Sequence, residues 1–231
     1  MTVEANPHPS VARALIPGQL PSAVRVLAVT ARPGQESADL GGLLYAFRRS
    51  GASLSLLCLT RGSAVGQGPR NERVEAARPW EVQMAATILG VREVTVADYR
   101  DARLHRYRVA DLAGRIQQAA EEYSADLVLI VAPEAGNLGD AAVARAATAA
   151  ALEIGVPVAG RTRPGVSGAW QLDLRANAQT ARALQRSAVA AHATQADALP
   201  ELLRRVDRLD SVEALRWLLS PARVPGQRVR P

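Results

Sequence analysis

The chain has 231 residues, and all 28 of its Lys and Arg positions are arginine, because the sequence contains no lysine. A lysine nucleophile, a lysine Schiff base and a lysine-dependent phosphate loop are therefore excluded, and a single cysteine excludes a disulfide framework or a cysteine-rich zinc module. The 48% apolar fraction fits one globular domain with a large core, and no apolar run is long enough for a membrane span.

The formal net charge of +6 is unevenly distributed along the chain. Residues 1–160 carry 16 arginines and 16 acidic residues, whereas residues 161–231 carry 12 arginines and 6 acidic residues. Only 3% of the residues are aromatic. A nucleic-acid-binding protein needs a basic surface and, for single strands, aromatic platforms on which bases stack. We therefore expect no nucleic-acid partner.

The composition of the ends predicts three segments. Residues 1–22 are rich in proline and alanine and lack the basic and apolar regions of a signal peptide, so we predict a flexible leader there. Residues 23–220 are predicted to form a single α/β domain, and residues 221–231 a tail. We expect a cytoplasmic protein without a membrane partner.

Strands and helices are predicted to alternate through the first two thirds of the chain. In chain order they cover residues 24–30, 37–49, 53–59, 72–89, 93–97, 109–123, 126–131 and 140–154. Apolar strands that alternate with helices of this length are typical of a Rossmann-like three-layer α/β/α sandwich with a mostly parallel sheet. Beyond residue 160 the pattern predicts a half-exposed strand over 169–174 and helices over 177–194 and 199–219.

Ligands of such sheets bind beyond the carboxyl ends of the strands. This rule directs attention to three loops, over residues 31–36, 60–69 and 133–140. Elsewhere, Cys58 lies inside an apolar strand and is predicted to be a core residue rather than a nucleophile. Ser37 lies near the crevice, but no histidine is visibly placed to activate it.

Several segments resemble the PIG-L/LmbE-like de-N-acetylases in order and spacing. They read ARPGQE at 31–36, LTRG at 59–62, RPWEVQMAATILGV at 78–91 and DYRDARL at 98–104, within a resemblance that spans residues 24–155. The segments AHATQ at 191–195 and EALRWL at 213–218 also resemble the closing helices of that family.

The resemblance implies a zinc hydrolase that removes an acyl group from an amino sugar or a related amide. In the family the first loop reads A-H-P-D-D-E, whose His and second Asp bind zinc and whose first Asp is the general base. A later H-x-x-H supplies the third ligand and a histidine that stabilises the oxyanion. In this chain Arg32, Gly34 and Gln35 stand at the His, base and Asp positions, and Asn137 and Asp140 replace the two histidines.

These replacements predict that zinc is absent. A guanidinium has no acceptor, keeps its proton and repels a dication. The three histidines, His8, His105 and His192, share no ligand-bearing motif. We expect His8 to be solvated, His105 to lie in an exposed loop and His192 to have a structural role in a late helix.

Two interpretations of the altered crevice remain open. Arg32 could form an ion-pair network with Glu36 and Asp140 that fills the metal position, or it could bind an anion together with Arg61 and Arg78. Arg78 could also be only a surface partner of Glu81. We predict ligand-binding roles for six polar side chains: Arg32, Gln35, Arg61, Arg78, Asp101 and Asn137. The candidates for an acid or base are Glu36 and Asp140.

The sequence thus supports two functions. The first is a metal-free relative of the deacetylases that binds a small molecule, anionic or sugar-like, or a protein partner. The second is an amide hydrolase that acts on an amino-sugar-like N-acyl substrate through a site without the usual zinc ligands. A homo-oligomer is left open.

Overall fold

A seven-stranded sheet forms the centre of the part of the chain that the computed structural model describes, namely residues 20–62, 72–174, 177–195 and 198–223. Its strands are β1 (Arg25–Thr30), β2 (Ser53–Thr60), β3 (Glu93–Tyr99), β4 (Leu127–Val131), β5 (Val158–Thr162), β6 (Trp170–Asp173) and β7 (Val212–Leu219). The α-helices in these ranges are α1 (Gln35–Ala38), α2 (Gly41–Arg49), α3 (Glu72–Leu89), α4 (Val109–Glu122), α5 (Leu138–Ile154), α6 (Ala178–Ala190) and α7 (Leu199–Asp207). Most of the predicted leader, tail and 60–69 loop lies outside the described residues.

The strand order in the sheet is β3-β2-β1-β4-β5-β7-β6. β1 pairs in parallel with both β2 and β4, and the parallel pairing continues to β3 on one side and β5 on the other. β7 runs antiparallel to its neighbours β5 and β6. The predicted mostly parallel sheet is confirmed. The chain leaves β1 in one direction towards β2 and returns on the other side at β4, so a crevice opens between the ends of β1 and β4.

Helices cover both faces of the sheet, as predicted. Val26 and Ala28 of β1 belong to a buried apolar cluster with side chains of α2 and α3. The alternating residues Leu27 and Val29 point to the opposite face, where they pack with side chains of α4 and α5. A strand that is buried on both faces is almost continuously apolar, which is the pattern that predicted β1 from the sequence.

The prediction was wrong at the C-terminal end of the domain. A helix was predicted over 199–219, but α7 ends at Asp207 and residues 212–219 form β7, so the EALRWL segment is not a closing helix. The segment is rich in Leu, Ala and Arg, which favour helices. Pairing with β5 and β6 on its two sides outweighs that preference, because it satisfies the backbone of the whole segment.

Smaller differences concern element boundaries and one strand that was not predicted. The helix predicted over 37–49 is divided into α1 and α2, and the helix predicted over 177–194 ends at Ala190. β5 was not predicted as a strand. None of the helices in the described ranges is long and apolar enough to span a membrane.

Candidate functional site

A cavity of about 770 Å³ lies at the carboxyl ends of β1, β4 and β5, beneath α7. Its lining comes from the turn after β1, the segment from the end of β4 into α5, the end of β5 and one face of α7. A cavity of this size is typical of small-molecule sites, which range over about 300–1,000 Å³. Two of the three loops selected from the sequence, 31–36 and 133–140, contribute to it.

The cavity lining is rich in charge of both signs. Among the residues that the structure describes, its basic members are Arg32, Arg161, Arg163, Arg205 and Arg208. Its acidic members are Asp39, Glu134, Asp140 and Glu201. The way in which these charges pair determines what the cavity can bind.

At the crevice between β1 and β4, the carboxylate of Asp140 is held by two amide groups. Gln35 Nε2 donates to Asp140 Oδ1 over 2.8 Å, and Asn137 Nδ2 donates to Asp140 Oδ2. Asn137 is also the N-cap of α5, because its Oδ1 accepts from the backbone N–H of Asp140 at 3.0 Å. Arg32 Nη1 lies 4.0 Å from Asp140 Oδ1, which is a long ion pair without a hydrogen bond.

The other end of the Gln35 amide is also engaged. Its Oε1 accepts hydrogen bonds from the backbone N–H groups of Ala31 and Arg32, at 2.9 and 3.3 Å. Gln35 therefore fixes the turn after β1 with its oxygen and reaches Asp140 with its nitrogen. At the end of the crevice where the resemblance places zinc ligands, the side chains form an amide–carboxylate–guanidinium network.

Burial raises the pKa of Asp140 and outweighs the hydrogen bond from Gln35 and the charge of Arg32, both of which lower it. The residue is 5% exposed. Its carboxyl group therefore takes up a proton more readily than that of a solvated aspartate.

The α7 side of the cavity contributes two arginines, Arg205 within the helix and Arg208 at its C-cap. Arg205 forms an ion pair with the buried carboxylate of Asp39. Burial, followed by the positive charge of Arg32, lowers the pKa of Arg205, so these two guanidinium groups lie within each other's field. Arg208 is exposed at the cavity.

The arginines on the β5 side form ion pairs with acidic residues. Arg161 Nε lies 3.4 Å from Glu213 Oε2, and Arg163 Nη2 lies 2.5 Å from Glu134 Oε2. Glu213 is fully buried and also accepts from Arg182 Nη1 at 2.5 Å. Arg182 in turn donates to the backbone carbonyl of Asp210 at 2.7 Å, which ties α6 to the segment before β7.

Behind the turn after β1 lies a second cluster, formed by Gly34, Glu36, Ser37 and His192, which we call the inner cluster. His192 Nε2 and Glu36 Oε1 are 2.6 Å apart, and both side chains are fully buried. Glu36 Oε2 accepts from the backbone N–H of Gly34 at 2.9 Å. Gly34 has a φ of +93°, a left-handed conformation that favours glycine. The inner cluster therefore fixes the shape of the turn from the inside.

The structure separates the predicted site residues into two groups. Arg32, Gln35, Asn137 and Asp140 meet at the cavity. Glu36 was predicted as a candidate acid or base at the crevice, but it is fully buried and faces His192 instead of Arg32. The expected contact between Arg32 and Glu36 is thus replaced by the pair in the inner cluster.

The remaining predicted site residues lie elsewhere among the described residues. Arg61 is exposed after β2, Arg78 is buried and donates to the Arg61 carbonyl at 3.2 Å, and Asp101 is half-buried at the start of a 3-10 turn. None of the three lines the cavity as described. Arg78 is not part of a surface pair with Glu81, because both are buried and Glu81 accepts from Thr194 at 2.6 and 2.7 Å.

Cys58 and Ser37, the two side chains considered as nucleophiles, are both buried. Cys58 is fully buried, and burial raises the pKa of its thiol to about 12, as expected for a core residue. The sequence shows no histidine placed to activate Ser37, but in the fold its Oγ lies 3.4 Å from His192 Nε2. Both side chains are fully buried, however, and Glu36 holds the same nitrogen more closely.

Sequence reasoning missed the contribution of α7 and β5 to the cavity. These segments lie more than 120 residues from the turn after β1, and no local motif connects them to it. The spacing of Glu201, Arg205 and Arg208 on one helical face is the signal that could have indicated a charged surface facing the crevice.

The family model described as GlcNAc-PI de-N-acetylase, PIG-L, matches residues 27–151, which include the turn after β1 and most of α5. Because the match covers more than half of the chain, the chain belongs to the PIG-L family. The family resemblance seen in the sequence is confirmed.

A curated relative is the probable N-acetyl-α-D-glucosaminyl L-malate deacetylase 2 of Bacillus anthracis. It is 32% identical over 113 residues, which cover 47% of this chain and 50% of the relative. The match to this chain therefore spans about half the length of that relative.

Solved structures share the fold over a larger part of the chain. A deacetylase triple mutant from the teicoplanin biosynthetic pathway has a TM-score of 0.64 at 19% identity, covering 84% of this chain and 96% of its own. GalB, the 4-carboxy-2-hydroxymuconate hydratase of Pseudomonas putida, has a TM-score of 0.65 at 19% identity, covering 90% and 98%. At these identities the likeness shows the fold.

Proposed function

We propose that this chain is a PIG-L family protein that uses no zinc, has no deacetylase activity of the family's zinc-dependent kind, and binds a small molecule in the cavity. The observation that carries the proposal is the hydrogen bond from Gln35 Nε2 to Asp140 Oδ1. These two residues stand where the resemblance places metal-site side chains, and they bind each other.

The chemistry of the donors supports this proposal. A catalytic zinc site needs three His, Cys or carboxylate ligands and one open position. Gln35 directs its amide nitrogen at Asp140 and uses its oxygen to accept from the backbone. Arg32 adds a positive charge 4.0 Å from the remaining carboxylate. Among the described residues no three His, Cys, Asp or Glu side chains are grouped to hold a metal ion. We infer that these residues do not fit zinc.

The position of the general base supports the same conclusion. Gly34 stands where the resemblance places that carboxylate, and it has no side chain. A Cβ added at Gly34 would lie 3.2 Å from Leu202 Cδ1, and the φ of +93° strains any L side chain there. The backbone conformation of this turn therefore favours glycine at position 34.

The concave shape of the site favours a small molecule over a protein partner. The cavity of about 770 Å³ has the size of a small-molecule pocket. At its crevice end Arg32 offers guanidinium donors, beside an Asp140 carboxylate that the amides of Gln35 and Asn137 hold in place.

A metal-independent amide hydrolase is the second candidate. The observation in its favour is that Asp140 lines the cavity and has a raised pKa, which suits a general acid or base. Glu36 is sealed in the inner cluster and is not available for this role. The relatives named as deacetylases suggest an N-acetyl amino sugar as the substrate to test.

Acetate release from a panel of N-acetyl amino sugars decides between the two candidates. The panel is incubated with the purified chain, with and without added zinc, and with an Asp140→Asn variant. We expect no enzyme-dependent release from any of them. Turnover that Asp140→Asn abolishes establishes the hydrolase, and turnover that requires zinc overturns the proposal altogether.

A further inference from the structure

We propose that the cavity binds a small organic anion, a carboxylate or phosphate compound, whose charged group is held by Arg32 and Arg208 beside Arg205. This inference rests on the proposed function and names the class of ligand. A guanidinium presents parallel N–H donors that match both carboxylate and phosphate oxygens, so the two chemistries share one mode of recognition.

Among the described residues, Arg32 has a single, distant acid as its partner in the cavity. Both oxygens of its nearest acid, Asp140, already accept hydrogen bonds from the amides of Gln35 and Asn137. The guanidinium remains 4.0 Å away, with its side chain 33% exposed. Within the described ranges no other acid forms an ion pair with it. Its donors are therefore available to a ligand in the cavity.

The arginines of α7 extend this positive charge across the cavity. Arg205 lies in α7, Arg208 is the C-cap of this helix three residues later, and both line the cavity. Arg205 is anchored through Asp39. No ion pair or side-chain hydrogen bond joins Arg208 to another residue in the described part of the chain.

The other two cavity arginines do not add to the site. Arg161 shares the buried Glu213 with Arg182, and Arg163 forms an ion pair with Glu134. Among the described cavity residues, the arginines without a hydrogen-bonded acid are therefore Arg32, on the turn after β1, and Arg208, at the end of α7. An anionic group that enters there gains hydrogen bonds from guanidinium donors without first breaking an internal one.

Isothermal titration calorimetry at low ionic strength tests the proposal with two matched pairs of probes. Succinate is compared with succinamide, and glucose 6-phosphate with glucose, so that the second compound of each pair lacks the negative charge. We expect saturable one-to-one binding of at least one anion and none of its neutral partner. Binding of succinate assigns a carboxylate ligand, binding of glucose 6-phosphate a phosphate ligand, and either result supports the proposal.

Three variants locate the binding site. Arg32→Gln and Arg208→Gln each weaken binding about tenfold, or about 1.4 kcal/mol, because each removes one guanidinium from the site. Neither guanidinium is hydrogen-bonded to an acid among the described residues, so both variants are expected to fold. Arg92→Gln is the matched control, because this exposed arginine precedes β3, at the opposite end of the strands. It should bind within twofold of the unsubstituted chain.

The inference is overturned if neither anion binds saturably, or if Arg32→Gln and Arg208→Gln bind as tightly as the unsubstituted chain. Such a result leaves the proposed function standing when zinc and deacetylase activity are both absent. Zinc-dependent acetate release, in contrast, overturns the proposed function itself, whatever the titrations show.

Discussion

Arg32 and Glu36, four residues apart on the same turn, stand in opposite environments. The carboxylate of Glu36 is fully buried, 2.6 Å from His192, and its second oxygen accepts from Gly34. The guanidinium of Arg32 is one third exposed and 4.0 Å from its nearest acid. The difference shows how one short turn serves two purposes. On its inner side the buried Glu36 is paired with His192, and on its outer side the guanidinium of Arg32 is available to a ligand in the cavity.

The comparison predicts that stability depends on the inner cluster and binding on the cavity. A fully buried charge that loses its partner has no water to replace it, whereas a partly exposed charge does. Substitutions on the inner side should therefore lower the free energy of unfolding, and substitutions on the cavity side should change the affinity for a ligand.

The largest effect is expected from His192→Ala. This variant leaves Glu36 buried without its partner and should lower the free energy of unfolding by about 3–5 kcal/mol. Urea denaturation monitored by circular dichroism measures the loss. Arg32→Gln, which removes the ion pair on the cavity side, should cost less than about 1 kcal/mol. Equal losses in the two variants would contradict the comparison.

A change of pH is expected to have the next largest effect on the free energy of unfolding. Burial is the largest single influence and disfavours both charges of the inner pair. The partner's charge and the hydrogen bonds together outweigh it, so folding lowers the pKa of Glu36 and raises that of His192, with a further contribution from Glu81. The contribution of Glu36 is present above its ordinary pKa of 4.5 and is lost as the pH falls through its folded pKa. The contribution of His192 is present below its ordinary pKa of 6.5 and is lost as the pH rises through its folded pKa.

Both contributions are therefore complete between pH 4.5 and 6.5. Above this range the free energy of unfolding should fall, by about 1.4 kcal/mol for each unit by which folding raises the pKa of His192. Urea denaturation at pH 6 and at higher pH measures the fall. His192→Gln should abolish this fall, and Asp140→Asn should retain it. A His192→Gln variant with the unchanged pH profile would show that the pair does not titrate as described.

The smallest effect on stability is expected from Asp140→Asn. The variant loses the hydrogen bond from Asn137, which lowers stability. It also removes a carboxyl group whose pKa is raised by burial, which offsets the loss. The free energy of unfolding should therefore change by less than about 1 kcal/mol. Removing a negative charge from the cavity should strengthen anion binding by about threefold. A loss of stability similar to that of His192→Ala would place Asp140 in a closed cluster, and weaker anion binding would contradict its role as a counter-charge.

Much of the fold could be predicted because its signals are local. The apolar runs of β1, β2 and β4 and the amphipathic helices between them follow from burial on two faces or on one. β7 could not be predicted in the same way, since its residues favour a helix and only its pairing with β5 and β6 makes it a strand.

Site residues could be predicted only where they belong to a recognisable sequence motif. Arg32, Gln35, Asn137 and Asp140 were selected from two loop motifs, and they meet at the cavity. The pair of Glu36 with His192 joins residues 156 positions apart, and no pattern in the sequence connects them.

The arginines of α7 were missed for the same reason. Arg205 and Arg208 reach the cavity because α7 packs over the turn after β1. Their spacing indicates a charged surface, but no local pattern shows where α7 packs. Arg61 and Arg78 were selected for their position in the family motif, and their side chains lie away from the described cavity lining.

The zinc content of the chain, purified from cells grown with added zinc, tests the central claim most directly. Gln35 and Asp140 are bound to each other, and Arg32 adds a positive charge beside them. We therefore predict far less than one zinc per chain by plasma mass spectrometry. About one zinc per chain, removed by a chelator and restored by added zinc, would contradict the account.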